Sequence, residues 1–390
     1  MKVGISAKPA FSSQRTGVDE YAYHLIRSLT DPALGPVGPG KRRAKTHTDE
    51  IILYTDRVPP VIEEDFWGHQ LPENVHVRLI KSPFLWSQGR LALELLKDKV
   101  DSFFNPVHIL PFSAPKNRST ITIHDLSFEY YPQDHAPGHV HYLRSITRHA
   151  VRAASKIIAV SENTKRDLVD MYNISPQKVI VIHHGIRTQG PAATTSEQPA
   201  SVTQDQLSLY PFLKDPYFLF VGRLDYKKNI EGIISSFTLL KQQYHVPHKL
   251  IIMGPADFGA GDIVRLAQVH KDIVVTGFVP ESIKQLALRR ATALLLLSFY
   301  EGFGFPILEA QSAGVPVIAS NVASLPEVAG DAALLINPRD HAEIARAMHE
   351  LITHPKLATT LIRRGFENTK RFSWDRCAAE TWRVITSPPL

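Results

Sequence analysis

Short, wholly apolar runs alternate along this chain with stretches in which apolar positions recur every three or four residues. In the first half "KVGISA", "IILYTD", "VHVRLI", "DSFFNP", "TITIHD", "KIIAVS" and "VIVIHH" read as strands, with helical spacing over 17–30, 88–99, 141–155 and 162–172 between them. In the second half the strand-like runs are "YFLFVG", "KLIIMG", "DIVVTG", "ALLLLS", "VPVIAS" and "AALLIN". Runs that lack an alternating polar face belong to strands buried on both sides, and their alternation with helices marks parallel sheets covered on both faces. One helix is sharply drawn. Ile230, Ile233, Ile234, Phe237 and Leu240 make a single apolar stripe, and Asn229 stands where a capping side chain belongs.

The rhythm breaks twice. "DPALGPVGPGKRRAKTHTDE" at 31–50 reads as a mobile loop, and "RTQGPAATTSEQPASVTQDQ", rich in Ala, Thr, Gln, Pro and Ser, as a linker. A chain of 390 residues is also too long for one ordinary core. The expected organisation is therefore a Rossmann-like domain over 1–187, a linker over 188–212, a second Rossmann-like domain over 213–372 and a terminal helix over 373–390. That helix, "FSWDRCAAETWRVIT", carries two tryptophans suited to packing back across the domain junction, and a ligand is expected in the cleft between the domains.

Composition narrows the class. A hydrophobic fraction of 44% with 21% charged residues is that of an ordinary globular chain. No apolar stretch approaches the roughly 20 residues that a membrane span needs. The strand-like start "MKVGISAKPAF" leads us to expect neither a signal peptide nor an anchor. Cys377 is the only cysteine, which excludes an intramolecular disulfide and fits a reducing, cytoplasmic compartment. A net charge of +6 suits an anionic ligand or an anionic membrane surface. Nucleic acid is not expected, since the basic residues are scattered and no binding motif is present.

Two strand-to-helix turns carry chemistry. In "FVGRLDYKKNIEG", Gly222, Arg223 and Lys228 fall between a strand and a helix start, where cations and free N–H groups suit a phosphate or diphosphate; a solvated turn before a capped helix would read the same way. In "SFYEGFGFPILEAQSAGVPVIAS", Glu301 and Glu309 bracket Gly302, Phe303, Gly304 and Phe305. Pro306 opens a short helix, Leu308 lies within it and Gly314 closes it. The glycines let backbone N–H groups approach a ligand, and the two carboxylates can accept hydrogen bonds from hydroxyls. The plainer alternative is that Glu301 ends a strand and Glu309 faces solvent. Taken together, cations in one loop and carboxylates in its neighbour describe a receptor for a nucleoside-diphosphate sugar.

At these residues the chain resembles the retaining glycosyltransferases of family 4, which have the GT-B fold. The resemblance runs through "GRLDYKKN", "EGFGFPILEAQSAGVPVIAS", "LPEVAGDAALLINP" and "FSWD", and in the first half through "TGVDEYAYHL", "TIHDLSF" and "AVSENTKRDL". It implies an α/β GT-B architecture whose C-terminal helix crosses back to the N-terminal domain. It further implies that Arg223 and Lys228 hold the donor diphosphate, that Glu309 binds the donor ribose, and that Glu301 meets the transferred sugar beside backbone from Phe303 to Phe305. Gly222, Gly302, Gly304 and Leu308 complete the implied donor site. His124, at the end of "TITIHD", would contact the donor sugar or support the transition state, with Asp125 on the acceptor side; a polar strand terminus with local hydrogen bonds is the alternative. Gly17 would let the donor phosphates or the acceptor approach the first helix, or is a plain turn glycine.

The resemblance implies a front-face transfer with retention, in which the leaving diphosphate helps deprotonate the incoming hydroxyl, and no nucleophile is assigned. A covalent carboxylate intermediate is the other route to retention. There is no Asp-x-Asp pair and no Cys/His cluster of metal-ligand spacing, so no metal or other cofactor is expected. "GFGFPI" fails as a dinucleotide fingerprint because Pro306 and Ile307 stand where the helix opening and third glycine belong, which disfavours an oxidoreductase, and no P-loop is present. The context "HDLSFEYYP" looks most like mannosyltransferases of polysaccharide or O-antigen assembly. That makes GDP-mannose the expected donor and a glycan or polyprenyl-diphosphate-linked glycan the expected acceptor. A nucleotide-sugar epimerase or hydrolase on the same fold would form product without acceptor, and a non-catalytic binder would show no turnover. Finally, Arg144, Arg148, Arg152 and Lys156 recur every four residues, a basic stripe that would meet an anionic membrane surface or simply face solvent.

Overall fold

The computed structural model describes residues 1–12, 15–30, 49–57, 71–82, 84–136, 138–186, 208–256 and 261–388. Most of the expected loop (31–48) and of the expected linker (188–207) lies outside the described residues. Packing divides the chain into two compact units, one of Met1–Leu126, Gly138–Gly185 and Phe372–Leu390, the other of Ser127–Pro137 and Ile186–Arg371. The short segment Ser127–Pro137, expected in the first domain, therefore packs with the second unit. Asp134 explains part of this, because its carboxylate accepts from the backbone N–H groups of Tyr226 at 2.9 Å and Lys227 at 3.1 Å.

In the first unit the strands β1 (Lys2–Ser6), β2 (Glu50–Thr55), β3 (Val75–Leu79), β4 (Ser102–Asn105), β5 (Ser119–Ile123), β6 (Lys156–Ala159) and β7 (Val179–Val181) form a parallel sheet ordered β3-β2-β1-β4-β5-β6-β7. Every residue of β4, β5 and β6 is buried, as expected for runs with no polar face. In the second unit β8 (Tyr217–Val221), β9 (Lys249–Met253), β10 (Ile273–Gly277), β11 (Ala293–Leu296), β12 (Val317–Ser320) and β13 (Leu334–Ile336) form a parallel sheet ordered β10-β9-β8-β11-β12-β13. Both orders place a topological switch between neighbouring strands, β1 with β4 and β8 with β11. Open α/β sheets bind ligands just beyond the carboxyl ends of such strands.

The terminal helix Trp374–Thr386 belongs to the first unit. Ser373 caps it, and Trp374 and Trp382 are buried. Gly185 is what allows its first residue so close: a Cβ there would lie 2.6 Å from Trp374 Cα. Ser102 Oγ donates to Ile385 O at 2.9 Å, and Lys156 Nζ donates to Val384 O, Ser387 O and Pro388 O at 3.3, 3.1 and 2.7 Å. This corrects the four-residue basic stripe. The helix carrying Arg144, Arg148 and Arg152 ends at Ala153, so Lys156 lies in β6, buried, with its ammonium on carbonyls at and just beyond the end of the terminal helix.

Candidate active site

The two chemical turns leave the sheet at the second unit's switch point, one from β8 and the other from β11. They are joined to each other. Phe299 N–H donates to Lys227 O at 2.8 Å, and Asn229 Nδ2 donates to Leu297 O at 3.1 Å and to Pro338 O at 2.8 Å. The second of these contacts corrects the expected cap. Asn229 does occupy the residue before helix Ile230–Tyr244, but its backbone is left-handed and its side chain makes no cap hydrogen bond. The apolar stripe of that helix faces inward as expected, with Ile230, Ile233, Ile234, Phe237 and Leu240 all buried.

The tether between the turns ends in an ion pair. Lys228 Nζ contacts Glu301 Oε1, and Ser298 Oγ donates to the same oxygen at 2.8 Å. An ammonium has three donors and a carboxylate two oxygens, so among the described residues two N–H groups and Oε2 have no further hydrogen-bond partner. Ser324 fixes the following loop by donating to Glu301 O at 2.8 Å and Phe303 O at 2.9 Å. Gly304 adopts φ of 111°, a left-handed value that a side chain would strain, and opens helix Phe305–Ser312. Gly302, Phe303 and Gly304 are buried, and Phe305 and Glu309 are half-buried. Leu308 has no exposed surface, so its side chain is part of the core and only its backbone remains for the implied donor role. Arg223 is exposed just beyond Gly222 at the end of β8.

Three ionisable residues that the sequence alone did not single out belong to this region. Lys284 Nζ lies 3.0 Å from Glu309 Oε1 and 3.0 Å from Glu281 Oε1. Burial works to lower its pKa, but the two carboxylates outweigh burial and raise it, so the ammonium stays charged. Asp225 is buried with Oδ1 lacking a hydrogen-bond partner. Burial pushes its carboxyl up to about 6 against the pull of Lys228 and Lys227, with Glu301 and Asp134 pushing the same way. The buried Lys227 ammonium reaches Ser127 Oγ at 2.9 Å. A signal for Lys284 was present, since it sits in the first turn of helix Glu281–Arg290, the helix that follows β10.

Gly17, His124 and Asp125 belong to the first unit. Gly17 begins helix Gly17–Thr30, just after Thr16, whose N–H and hydroxyl both donate to Asp19 Oδ2. His124 Nε2 is 2.8 Å from Pro106 O. Its ring stacks with that of His184 at 5.5 Å and meets the Tyr21 ring edge-on at 4.8 Å, and Tyr21 in turn lies 6.2 Å from Trp374 of the terminal helix. Burial lowers His124 to about 4 against the Pro106 hydrogen bond, and burial also holds His184 well below the usual histidine range. Both rings are therefore neutral at physiological pH.

Among the described residues no helix is long and apolar enough to cross a membrane, and no group of three or more His, Cys, Asp or Glu side chains is arranged to hold a metal ion.

The profile described as Glycosyl transferases group 1 matches residues 206–368, and that of Glycosyltransferase Family 4 matches residues 42–189. The chain is 30% identical over 405 residues to the O-antigen chain mannosyltransferase B of Escherichia coli, an alignment that covers 98% of each. Among solved structures it superposes on Anabaena Alr3699/HepE in complex with UDP-glucose with a TM-score of 0.71, 16% identity and 99% of each chain covered. It superposes on WaaG, a glycosyltransferase involved in lipopolysaccharide biosynthesis, with a TM-score of 0.69, 15% identity, and 99% of this chain and 100% of that one covered. Two parallel Rossmann-like sheets, the two matched domains and a relative aligned over 98% of the chain converge: the chain belongs to glycosyltransferase family 4, carries a glycosyl transferases group 1 domain, and is a glycosyltransferase of the GT-B fold.

Proposed function

We propose that this enzyme transfers a mannosyl residue from GDP-mannose to a sugar hydroxyl of a glycan borne on a polyprenyl diphosphate, with retention at the anomeric carbon and without a metal ion, at the cytoplasmic face of the membrane. The observation that carries the reading is the Lys228–Glu301 pair, which puts a cation with spare donors against a carboxylate with a spare oxygen at the second unit's switch point. A nucleoside-diphosphate sugar needs both, a cation for its diphosphate and an acceptor for its sugar hydroxyls. The mannosyl choice is supported by the name of the E. coli relative that aligns over 98% of the chain.

In this reading Arg223 and Lys228 meet the diphosphate, where negative charge grows as the glycosidic bond breaks, and stabilise it as it leaves. The departing diphosphate takes the proton of the incoming hydroxyl on the same face. Glu301 positions the sugar and Glu309 the ribose. Backbone of Gly222 and of Gly302 through Phe305 lines the donor, and His124, assisted on the acceptor side by Asp125, contributes to turnover.

Calorimetric titration of GDP, UDP, GDP-mannose, UDP-glucose and NAD in EDTA, on wild type and Arg223→Ala, tests the donor site. Guanine nucleotides should bind without metal and weaken in the variant, and a new α-linked mannoside should appear by NMR only when acceptor is present. Selective uridine-nucleotide binding would overturn the donor assignment. Product formed without any acceptor would replace the transferase reading with an epimerase or hydrolase.

A further inference from the structure

Phe84, Leu85 and Phe112 are 81%, 77% and 71% exposed, the most exposed large apolar side chains among the described residues of the first unit. They share one surface. Gln88 Nε2 donates to Leu110 O at 2.9 Å while its Oε1 accepts from Phe112 N–H at 3.0 Å, and Ser113 Oγ donates to Ala92 O at 2.6 Å. The loop carrying Phe112 is thus fastened to the helical segment that begins directly after Leu85. On the other side the Phe112 ring lies 4.5 Å from that of His149, on the helix His139–Ala153 whose Arg148 and Arg152 are exposed. Arg148, His149 and Arg152 line a shallow surface depression beside it.

The apolar tip is held out rather than left loose. Leu85 has φ of 48°, a left-handed conformation uncommon for leucine and costing on the order of 1 kcal/mol. The next residue, Trp86, is buried and donates from Nε1 to Ile80 O at 2.9 Å, beginning the π-helical turn Trp86–Leu91. Irregular helical turns of this kind concentrate at functional positions. A strained, anchored turn that presents two exposed apolar side chains, fastened to a loop whose Phe112 ring packs against the helix carrying Arg148 and Arg152, fits a partner that is apolar below and anionic above.

We propose that this face docks the enzyme on an anionic lipid bilayer, with Phe84 and Leu85 entering the acyl boundary, Phe112 beside them, and Arg148 and Arg152 meeting the headgroups. The proposal rests on the reading of a lipid-linked acceptor and names the surface that would bring the enzyme to it.

The test is co-sedimentation with phosphatidylcholine vesicles with and without phosphatidylglycerol. Wild type should pellet with the anionic vesicles. The double variant Phe84→Ser/Leu85→Ser should bind them roughly tenfold or more weakly at unchanged thermal stability and unchanged nucleotide affinity. Arg148→Ala/Arg152→Ala should weaken binding at low salt by a comparable factor. Cys377 is buried, so a Leu85→Cys variant can carry a single polarity-sensitive dye, and its emission should shift to the blue on anionic vesicles. Failure of wild type to bind, undiminished binding by the apolar double variant, or an unshifted dye would each overturn the surface. If nucleotides bind and vesicles do not, only the docking surface falls; if no nucleotide binds, the transferase reading falls on its own.

Discussion

Lys228 and Glu301, 73 residues apart in sequence, meet as a mostly buried ion pair at the carboxyl ends of two neighbouring strands, with side chains 15% and 11% exposed. Removing one partner leaves the other charged and poorly solvated. Lys228→Ala should therefore lower unfolding stability by roughly 2–3 kcal/mol and weaken nucleotide-diphosphate binding roughly ten- to a hundredfold. Arg223 is exposed, so Arg223→Ala should weaken the same binding while leaving the melting temperature in place. Calorimetry and thermal unfolding of both variants separate the two effects. Unchanged affinity in both would remove the diphosphate site.

Lys284 holds Glu309 through one hydrogen bond and is itself held by Glu281. If Glu309 receives the ribose, Lys284→Met should weaken binding of the ribonucleotide by roughly tenfold. It should leave the affinity for the corresponding 2′,3′-dideoxynucleotide unchanged, because that ligand has no ribose hydroxyls to lose. Equal loss for both ligands would mean that Lys284 only supports the helix.

Asp225 gives a stability prediction with an unusual sign. Its folded pKa, about 6, lies above the 3.8 of an ordinary aspartate, so between those values the folded chain holds the extra proton and stability falls as pH rises. Above pH 6 the full cost of the buried charge is present. Asp225→Asn should raise the melting temperature at pH 7.5 and leave it unchanged near pH 3.5, as pH-dependent calorimetry can show. A drop at pH 7.5 would mean that attraction to Lys227 and Lys228 exceeds the cost of burial.

His124 works in the opposite sense. Its folded pKa of about 4 lies below the ordinary 6.5, so between these values the unfolded chain binds more protons. Acidification from pH 6.5 towards 4 should remove on the order of 2 kcal/mol of stability through this residue, with His184 adding in the same direction. His124→Phe should flatten that slope in urea titrations across the range, leave nucleotide affinity intact and depress turnover.

The sheets were legible because their strands are buried on both faces, so a run such as "ALLLL" cannot be mistaken for an amphipathic surface helix. The inward stripe after Asn229 was legible for the complementary reason. What escaped were features decided between distant segments. Lys156 continued the four-residue spacing of Arg144, Arg148 and Arg152, yet the helix stops at Ala153, and the lysine's partners lie more than 220 residues away. Asn229 had the right residue type for a cap, but two carbonyls from other loops claim its amide. Lys284 and Glu309 are separated by 25 residues and Lys227 and Ser127 by 100, so no local window contained either pair.

The terminal helix bears on the order in which the polypeptide can mature. The second unit is complete once Arg371 has been made, whereas the first unit lacks its covering helix until Trp374–Thr386 has been made as well. Tyr21, His184 and β6 wait for Trp374 and the carbonyls that Lys156 holds. Unlike the usual amino-terminal-first order, the half of the enzyme synthesised first is the half that finishes folding last. A chain cut short after Arg371 would then carry a finished second unit and a first unit with an open core, exposed to proteolysis.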